Sequence, residues 1–268
     1  MTNIKIAMLP LDICQASPAQ NIESVRIYSE NLEPDTDILA LPELFSTGFI
    51  KDIDEAEQLA ETIDGCTINA LRQIAAKHNV AISGSFLCKD DDNSLRNRAF
   101  FIKPGADCDR SVIYYDKHHL FVLSDEKRIF KEGECLPPVI DFRGWKVAIT
   151  ICYDLRFPVW MRNVGNRYDL MIVPANWPDS RGYAWQSLLV ARAIENQAVY
   201  VGVNRSGTDD FGTYSVDLTM GYDELGAPKT SVTTGLIRYA SFSLDGINTL
   251  RHRFPVHLNA DTFSLSTK

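Results

Sequence analysis

The sequence predicts a single α/β domain, on three observations. Apolar runs of strand length alternate with segments of helical spacing through both halves of the chain. No low-complexity or linker-like stretch divides the halves. The 268 residues are 45% hydrophobic and 23% charged, a globular composition with enough apolar side chains to bury a large core unaided.

The elements follow in order. Ile4 to Leu11 reads as a buried strand, and residues 18 to 31 as a helix with Ser17 or Pro18 at its start. Asp37 to Leu41 is a short apolar strand running into Pro42-Glu43. Thr67 to His78 carries apolar residues at 68, 71, 74 and 75, a helical repeat. Val80 to Phe86 and Ala99 to Ile102 read as strands, with DDDNS as the turn between them, and Val112 to Tyr115 as a third. In the second half, Trp145 to Cys152 is a strand and Phe157 to Asn163 a short helix that tolerates Pro158 in its first turn. Leu170 to Ala175 is a strand. Tyr183 to Gln197 is a helix with Trp185, Leu188, Leu189, Ile194 and Ala198 on its apolar side. Val199 to Val203 and Leu236 to Phe242 are further strands. The tail RHRFPVHLNADTFSLSTK reads as a disordered end or as an arm docked on a partner subunit, and its apolar residues favour the arm.

The bulk numbers exclude several function classes. Thirty-five acids against 27 bases leave a net charge of −8, which argues against nucleic acid as a partner. No apolar run approaches the roughly 18 residues of a membrane span, and MTNIKIAMLPLDI has no signal-peptide core, so a soluble, cytoplasmic protein is expected. The closest of the six cysteines, Cys135 and Cys152, are 17 positions apart, so no C-x-x-C motif exists. Each cysteine, taken alone, reads as a small buried hydrophobe. No H-x-x-H or H-x-x-x-H pair suggests a metal.

Chemistry gathers where three strands end. Glu43 follows DILALP, Lys117 follows VIYYD, and Cys152 closes VAITI. Strand ends line the functional crevice of layered α/β folds, where a thiol, a carboxylate and an amine supply a nucleophile, a base and an oxyanion stabiliser. A helix starting after Cys152 would lower the thiol pKa and aim backbone N–H groups at an oxyanion. Each residue also has a plainer reading: Cys152 as core, Glu43 as a solvated loop acid or helix cap, Lys117 as a surface lysine. His118 and His119 admit a Cys–His hydrolase instead, although adjacent histidines usually point opposite ways.

Together these segments resemble the carbon–nitrogen hydrolase (nitrilase) superfamily. LALPELFSTGF is similar to the family's glutamate segment, YDKHHLF to its lysine segment and ITICYDLRFPVWMRN to its cysteine segment. MIVPANWP and WQSLLVARAIENQAVYVGVNRSG are similar to regions beyond the nucleophile, and the likeness runs from about residue 4 to 240. The resemblance implies a four-layer αββα sandwich that dimerises into an eight-layer particle. The hydrolase domain would occupy residues 1–245, with 246–268 as a C-terminal arm at the dimer interface. It implies Cys152, Glu43 and Lys117 as the catalytic set and the Tyr153 N–H as an oxyanion donor. SDEKRIFKEGE places Glu126 at the family's second glutamate, with Glu132 and Glu134 as competitors.

CYDLRFPVW and ANWP most resemble the omega-amidase branch, which hydrolyses the terminal amide of 2-oxoglutaramate or 2-oxosuccinamate. The resemblance implies no cofactor and a small-molecule amide substrate. A dianionic substrate needs a cation at its far end, for which Arg156 and Arg181 are candidates, although Arg156 could instead pair with Asp154. Phe45, Trp177 and Trp185 are candidate pocket walls, or core. The alternatives are an aliphatic amidase, carbamoylase or nitrilase of the same superfamily, and a non-catalytic binding protein on its scaffold.

Overall fold

The computed structural model describes residues 2–105, 112–232 and 235–265. Cys108 lies outside the described residues. Two sheets stack face to face. The larger has seven strands in the order Thr230–Val232, Arg238–Ser243, Asn3–Met8, Ile38–Ala40, Ala81–Lys89, Leu95–Ile102 and Val112–Asp116. The smaller has five: Met220–Tyr222, Val199–Asn204, Leu170–Ala175, Trp145–Ile149 and Val139–Phe142. The centre of each sheet is parallel, as in the registers Ile6↔Ile38 and Val147↔Leu170, and the edges are antiparallel.

Side-chain alternation explains the layering. Along the first strand Ile4, Ile6 and Met8 enter the core between the sheets, where they join Val147, Ile149, Met171 and Val201. Ala7 and Leu9 point the other way, against Val25 of helix Pro18–Ser29 and Ile68, Leu71 and Ile74 of helix Cys66–His78. Both faces of the sheet are therefore buried, which is why these strands read as near-continuous apolar runs. On the outer face of the smaller sheet, helix Gly182–Asn196 buries Trp185, Leu189 and Ala193, and helix Leu244–Arg253 buries Ile247. The result is the αββα sandwich in one domain. Gly202 lets the first of these helices approach closely: a Cβ there would lie 2.5 Å from Trp185 Cζ2 and 2.6 Å from Leu189 Cδ1.

Several expectations are corrected. The first helix stops at Ser29 rather than residue 31, and Glu30 and Asn31 form a turn instead. The helix expected over 157–163 does not form. Cys152–Arg156 is one 3₁₀ turn, Pro158 offers no N–H, and Phe157 and Trp160 are drawn against His119 and His118 in parallel stacks. The strand before it ends at Ile149 rather than Cys152. Leu95–Ile102 begins four residues earlier than expected, because the polar run RNR is neutralised within the fold: Arg98 Nε and Nη2 donate to Asp116 at 2.6 and 2.9 Å. Ile194, expected on the buried side of its helix, is exposed. Cys66 and Cys135 are exposed and Cys14 half-buried, so only Cys88 and Cys152 of the described cysteines are core residues. Helix Leu244–Arg253 is an element beyond the expected ones and follows strand Arg238–Ser243 directly. It ties the first part of the 246–268 tail to the body through Arg251, whose Nη1 lies 2.6 Å from Asp169 Oδ1.

Candidate active site

Glu43, Lys117, Glu126 and Cys152 meet at one cavity of about 210 Å³. Glu43 lies in the turn after strand Ile38–Ala40, and Lys117 follows directly on strand Val112–Asp116. Both are buried, so neither is a solvated loop residue. Lys117 Nζ donates to Glu43 Oε1 at 2.7 Å and to Glu126 Oε1 at 2.8 Å. An ammonium carries three N–H donors, so one remains for a ligand. Glu43 is satisfied on both oxygens: Asn97 Nδ2 donates to Oε1 at 2.8 Å and the Asn176 N–H to Oε2 at 2.9 Å. Glu126, in the single helical turn Glu126–Ile129, also accepts the Phe121 N–H on Oε2 at 2.8 Å. Its competitors Glu132 and Glu134 are exposed.

The lysine segment is held from behind by Gly133. Its N–H donates to the Lys117 carbonyl at 2.9 Å, and a Cβ there would collide with the Asp116 carbonyl oxygen. Cys152 follows its strand with φ 41°, in the left-handed region that costs a non-glycine residue roughly 1 kcal/mol or more. Such a bend lifts one residue out of the strand line and presents it at the cavity.

Electrostatics set the protonation states. Burial works against the Lys117 ammonium, but the flanking charges of Glu126 and Glu43 outweigh it and hold its pKa well above the usual lysine range. Burial raises the Glu126 carboxyl against the pull of Lys117. Burial and then the charge of Glu43 push the Cys152 thiol well above its ordinary value, although Lys117 opposes them. This corrects the expectation of a helix-lowered thiol. No α-helix starts at Cys152, and two carboxylates already face one ammonium, so a resting thiolate would add unbalanced charge to a buried cluster.

The wall above the cluster contains Tyr153, Arg156, Trp177 and Arg181. The Arg156 guanidinium lies 4.8 Å from the Trp177 ring centroid and that of Arg181 lies 5.2 Å from Phe121. Among the described residues neither guanidinium has a carboxylate partner, whereas Asp209, in the same wall, is neutralised by Arg205 at 2.6 Å. Asp154 does not pair with Arg156; its carboxylate serves Tyr115, Thr150, Ile151 and His119.

Two of the wall candidates are not at the cavity. Phe45 faces the outer core, edge-on to Phe100 at 6.0 Å, because its position beyond the left-handed Leu44 turns it under the sheet. Trp185 lies behind Trp177 at 5.2 Å and donates its Nε1–H to the Leu218 carbonyl at 2.6 Å. His118 and His119 do not line the cavity either: His118 stacks on Trp160 and His119 on Phe157. Sequence reasoning missed Asn97 and Asn176, which orient Glu43, and the role of Asp154. Among the described residues no group of His, Cys, Asp and Glu is arranged to hold a metal ion. No described helix is long and apolar enough to cross a membrane.

An αββα sandwich with a buried glutamate–lysine–glutamate chain beside a cysteine defines a class, and the chain belongs to the carbon-nitrogen hydrolase family, whose sequence model matches residues 5–242. It is 34% identical to Omega-amidase YafV of Yersinia enterocolitica across 99% of this chain and 100% of that protein. It is 32% identical to the 2-oxoglutaramate amidase of Bacillus subtilis across 76% and 77% of the two chains. A CN-hydrolase superfamily protein from Xanthomonas campestris, solved with an arsenic adduct in its active site, superimposes with a TM-score of 0.89 at 32% identity, covering 99% and 100% of the chains. The protein is thus an enzyme, an amidohydrolase of carbon–nitrogen bonds of the nitrilase superfamily.

Proposed function

We propose that the enzyme hydrolyses the terminal amide of small 2-oxo dicarboxylate monoamides, 2-oxoglutaramate and 2-oxosuccinamate, through a thioester on Cys152. The observation that carries this reading is the Glu43–Lys117–Glu126 chain beside the buried Cys152 thiol, under a wall that carries Arg156 and Arg181, which have no carboxylate partner among the described residues. Cys152 Sγ attacks the amide carbon while Glu43 takes the thiol proton. The tetrahedral oxyanion receives the third Lys117 N–H and the Tyr153 N–H. The C–N bond then breaks, and Glu43 returns the proton to the leaving ammonia. Glu43 next deprotonates a water that attacks the thioester carbon. The C–S bond breaks, the proton returns to Sγ, and the dicarboxylate leaves. Glu126 keeps Lys117 in place throughout. Arg156 and Arg181 receive the distal carboxylate, with Trp177 as the rigid wall beneath Arg156.

The names of the relatives support the same substrate class. Ammonia release from 2-oxoglutaramate, a simple nitrile and an N-carbamoyl amino acid tests it. The expected result is turnover of the first alone; turnover of the nitrile alone overturns the reading. Cytoplasmic residence suits a catalytic thiol that must remain reduced.

The enzyme acts as a homodimer in this reading, with the tail beyond helix Leu244–Arg253 at the contact with the partner, since that helix itself is tied to its own chain through Arg251. Tyr183 and Ile194 on the outer face of helix Gly182–Asn196 are 87% and 51% exposed, and Phe254 and Leu258 in the tail are 64% and 73% exposed, an apolar surface suited to a second copy. Light scattering on the wild type and on Ile194→Asp should give a dimer and a monomer respectively; a monomeric wild type overturns the assignment.

A further inference from the structure

Asp154 takes no part in the reaction just described, yet its fully buried carboxylate accepts five hydrogen bonds. Oδ2 takes the Tyr115 hydroxyl at 2.8 Å, the Thr150 hydroxyl at 3.0 Å and the Ile151 N–H at 3.2 Å. Oδ1 takes the His119 N–H at 2.9 Å and the His119 ring Nδ1–H at 2.8 Å. Burial opposes the charge, but the bonds from His119 and Tyr115 overcome it and hold the carboxyl below the ordinary aspartate value. Lys117 lies two residues before His119 and Cys152 two residues before Asp154. The Asp154–His119 pair is therefore a rung between the lysine segment and the cysteine turn.

We propose that Asp154 is a positioning residue: through His119 it fixes Lys117 relative to Cys152, and through Ile151 and Thr150 it maintains the left-handed backbone that presents the thiol. A charged carboxylate is required. Each of its oxygens accepts from a backbone N–H, one of Ile151 and one of His119, and neither can become an acceptor. Hydroxyls can rotate and an imidazole can change tautomer to suit an amide, but whichever way Asn were oriented its NH₂ would face one of those N–H groups.

The proposal rests on Cys152 being the nucleophile of the reaction above. Its test compares Asp154→Asn, His119→Phe, His119→Asn and the Asp154→Asn/His119→Phe double variant. kcat and KM for 2-oxoglutaramate are measured per folded molecule, the folded fraction being read from tryptophan fluorescence. Asp154→Asn should lower kcat about 100-fold with KM nearly unchanged, the cost of roughly an ångström of misplacement. His119→Phe keeps the stack on Phe157 but loses the ring donor, and should lower kcat about 10-fold. His119→Asn, whose Nδ2–H replaces Nδ1–H, should restore it. The double variant should be no slower than Asp154→Asn alone, since both changes break one connection. Unchanged kcat per folded molecule in Asp154→Asn, additive losses, or His119→Asn as slow as His119→Phe each overturn the proposal. Alkylation of Cys152 by iodoacetamide gives a readout independent of substrate. It should slow in Asp154→Asn and His119→Phe even if the wild type releases no ammonia from 2-oxoglutaramate, so the substrate reading and the positioning role fail separately. Should Asp154→Asn not fold, the contrast between the two His119 variants decides alone.

Discussion

Lys117 and Glu43 stand 74 positions apart, yet Nζ and Oε1 meet at 2.7 Å with both side chains shut off from water. Glu126 closes the chain at 2.8 Å on the other side of the ammonium. One cation between two carboxylates is stable only as a unit, because removing any one member leaves unbalanced charge in a medium that solvates it poorly.

Lys117→Met should therefore destabilise the fold as well as end turnover. Glu43 and Glu126 would face each other without a counter-ion, and breaking such a buried arrangement costs about 3–5 kcal/mol. Urea unfolding should move to a clearly lower midpoint with the slope preserved. A midpoint equal to that of the wild type would show that the carboxylates find another partner.

Glu43→Gln separates the two effects of Glu43 on Cys152. Its charge raises the thiol pKa, after burial itself, while Lys117 lowers it. Removing the negative charge leaves the attraction of Lys117 less opposed, so the thiolate becomes easier to form and the Cys152 pKa falls. Thiolate absorbance near 240 nm, with Cys152→Ala as the blank, should titrate at lower pH in Glu43→Gln than in the wild type. Hydrolysis should nevertheless drop by about 10²–10⁴-fold, since the proton carrier is gone. A thiol that titrates at higher pH would contradict the electrostatic ordering.

Arg156→Gln and Arg181→Gln should act on the substrate rather than on the chemistry. A charge-assisted hydrogen bond to a carboxylate is worth about 1.5–3 kcal/mol, which is roughly 10- to 150-fold in kcat/KM for 2-oxoglutaramate. An uncharged amide of similar length should react with each variant as it does with the wild type. Equal losses on both amides would assign the arginines to the cavity's shape instead.

The sandwich was legible because its strands are buried on both faces, so each stands out as an apolar run, and Glu43, Lys117 and Cys152 each follow such a run directly. What sequence could not supply is what lies across a strand or above a turn. Asn97 sits within LRNRAFF, whose first residues look like a continuing loop because Asp116, the carboxylate that holds Arg98 at 2.6 Å, comes from the next strand. Asp154 invited a local pairing with Arg156, but it turns inward to partners from two other segments. The direction of the Cys152 shift is hidden from the sequence for the same reason: burial and the charge of Glu43 are properties of the assembled site, whereas a helix dipole is what a local pattern suggests. Phe45 and Trp185 show the limit for side chains next to a motif, since one left-handed residue or one helical turn decides which way a ring points.

Gly202→Ala tests how the helical layer supports the cavity. The added methyl would meet Trp185 Cζ2 at 2.5 Å and Leu189 Cδ1 at 2.6 Å, both anchored in helix Gly182–Asn196. Trp185 is tied to the Leu218 carbonyl at 2.6 Å and stands 5.2 Å behind Trp177, so it has little room to retreat except toward the cavity wall. Overpacking of this kind costs about 1–3 kcal/mol. A displaced Trp177 also moves the ring beneath Arg156, so KM for 2-oxoglutaramate should rise more than kcat falls. Thermal unfolding and steady-state kinetics on the same preparation check both parts. A lower Tm with unchanged KM would mean that the helix shifts as a body and leaves the wall in place.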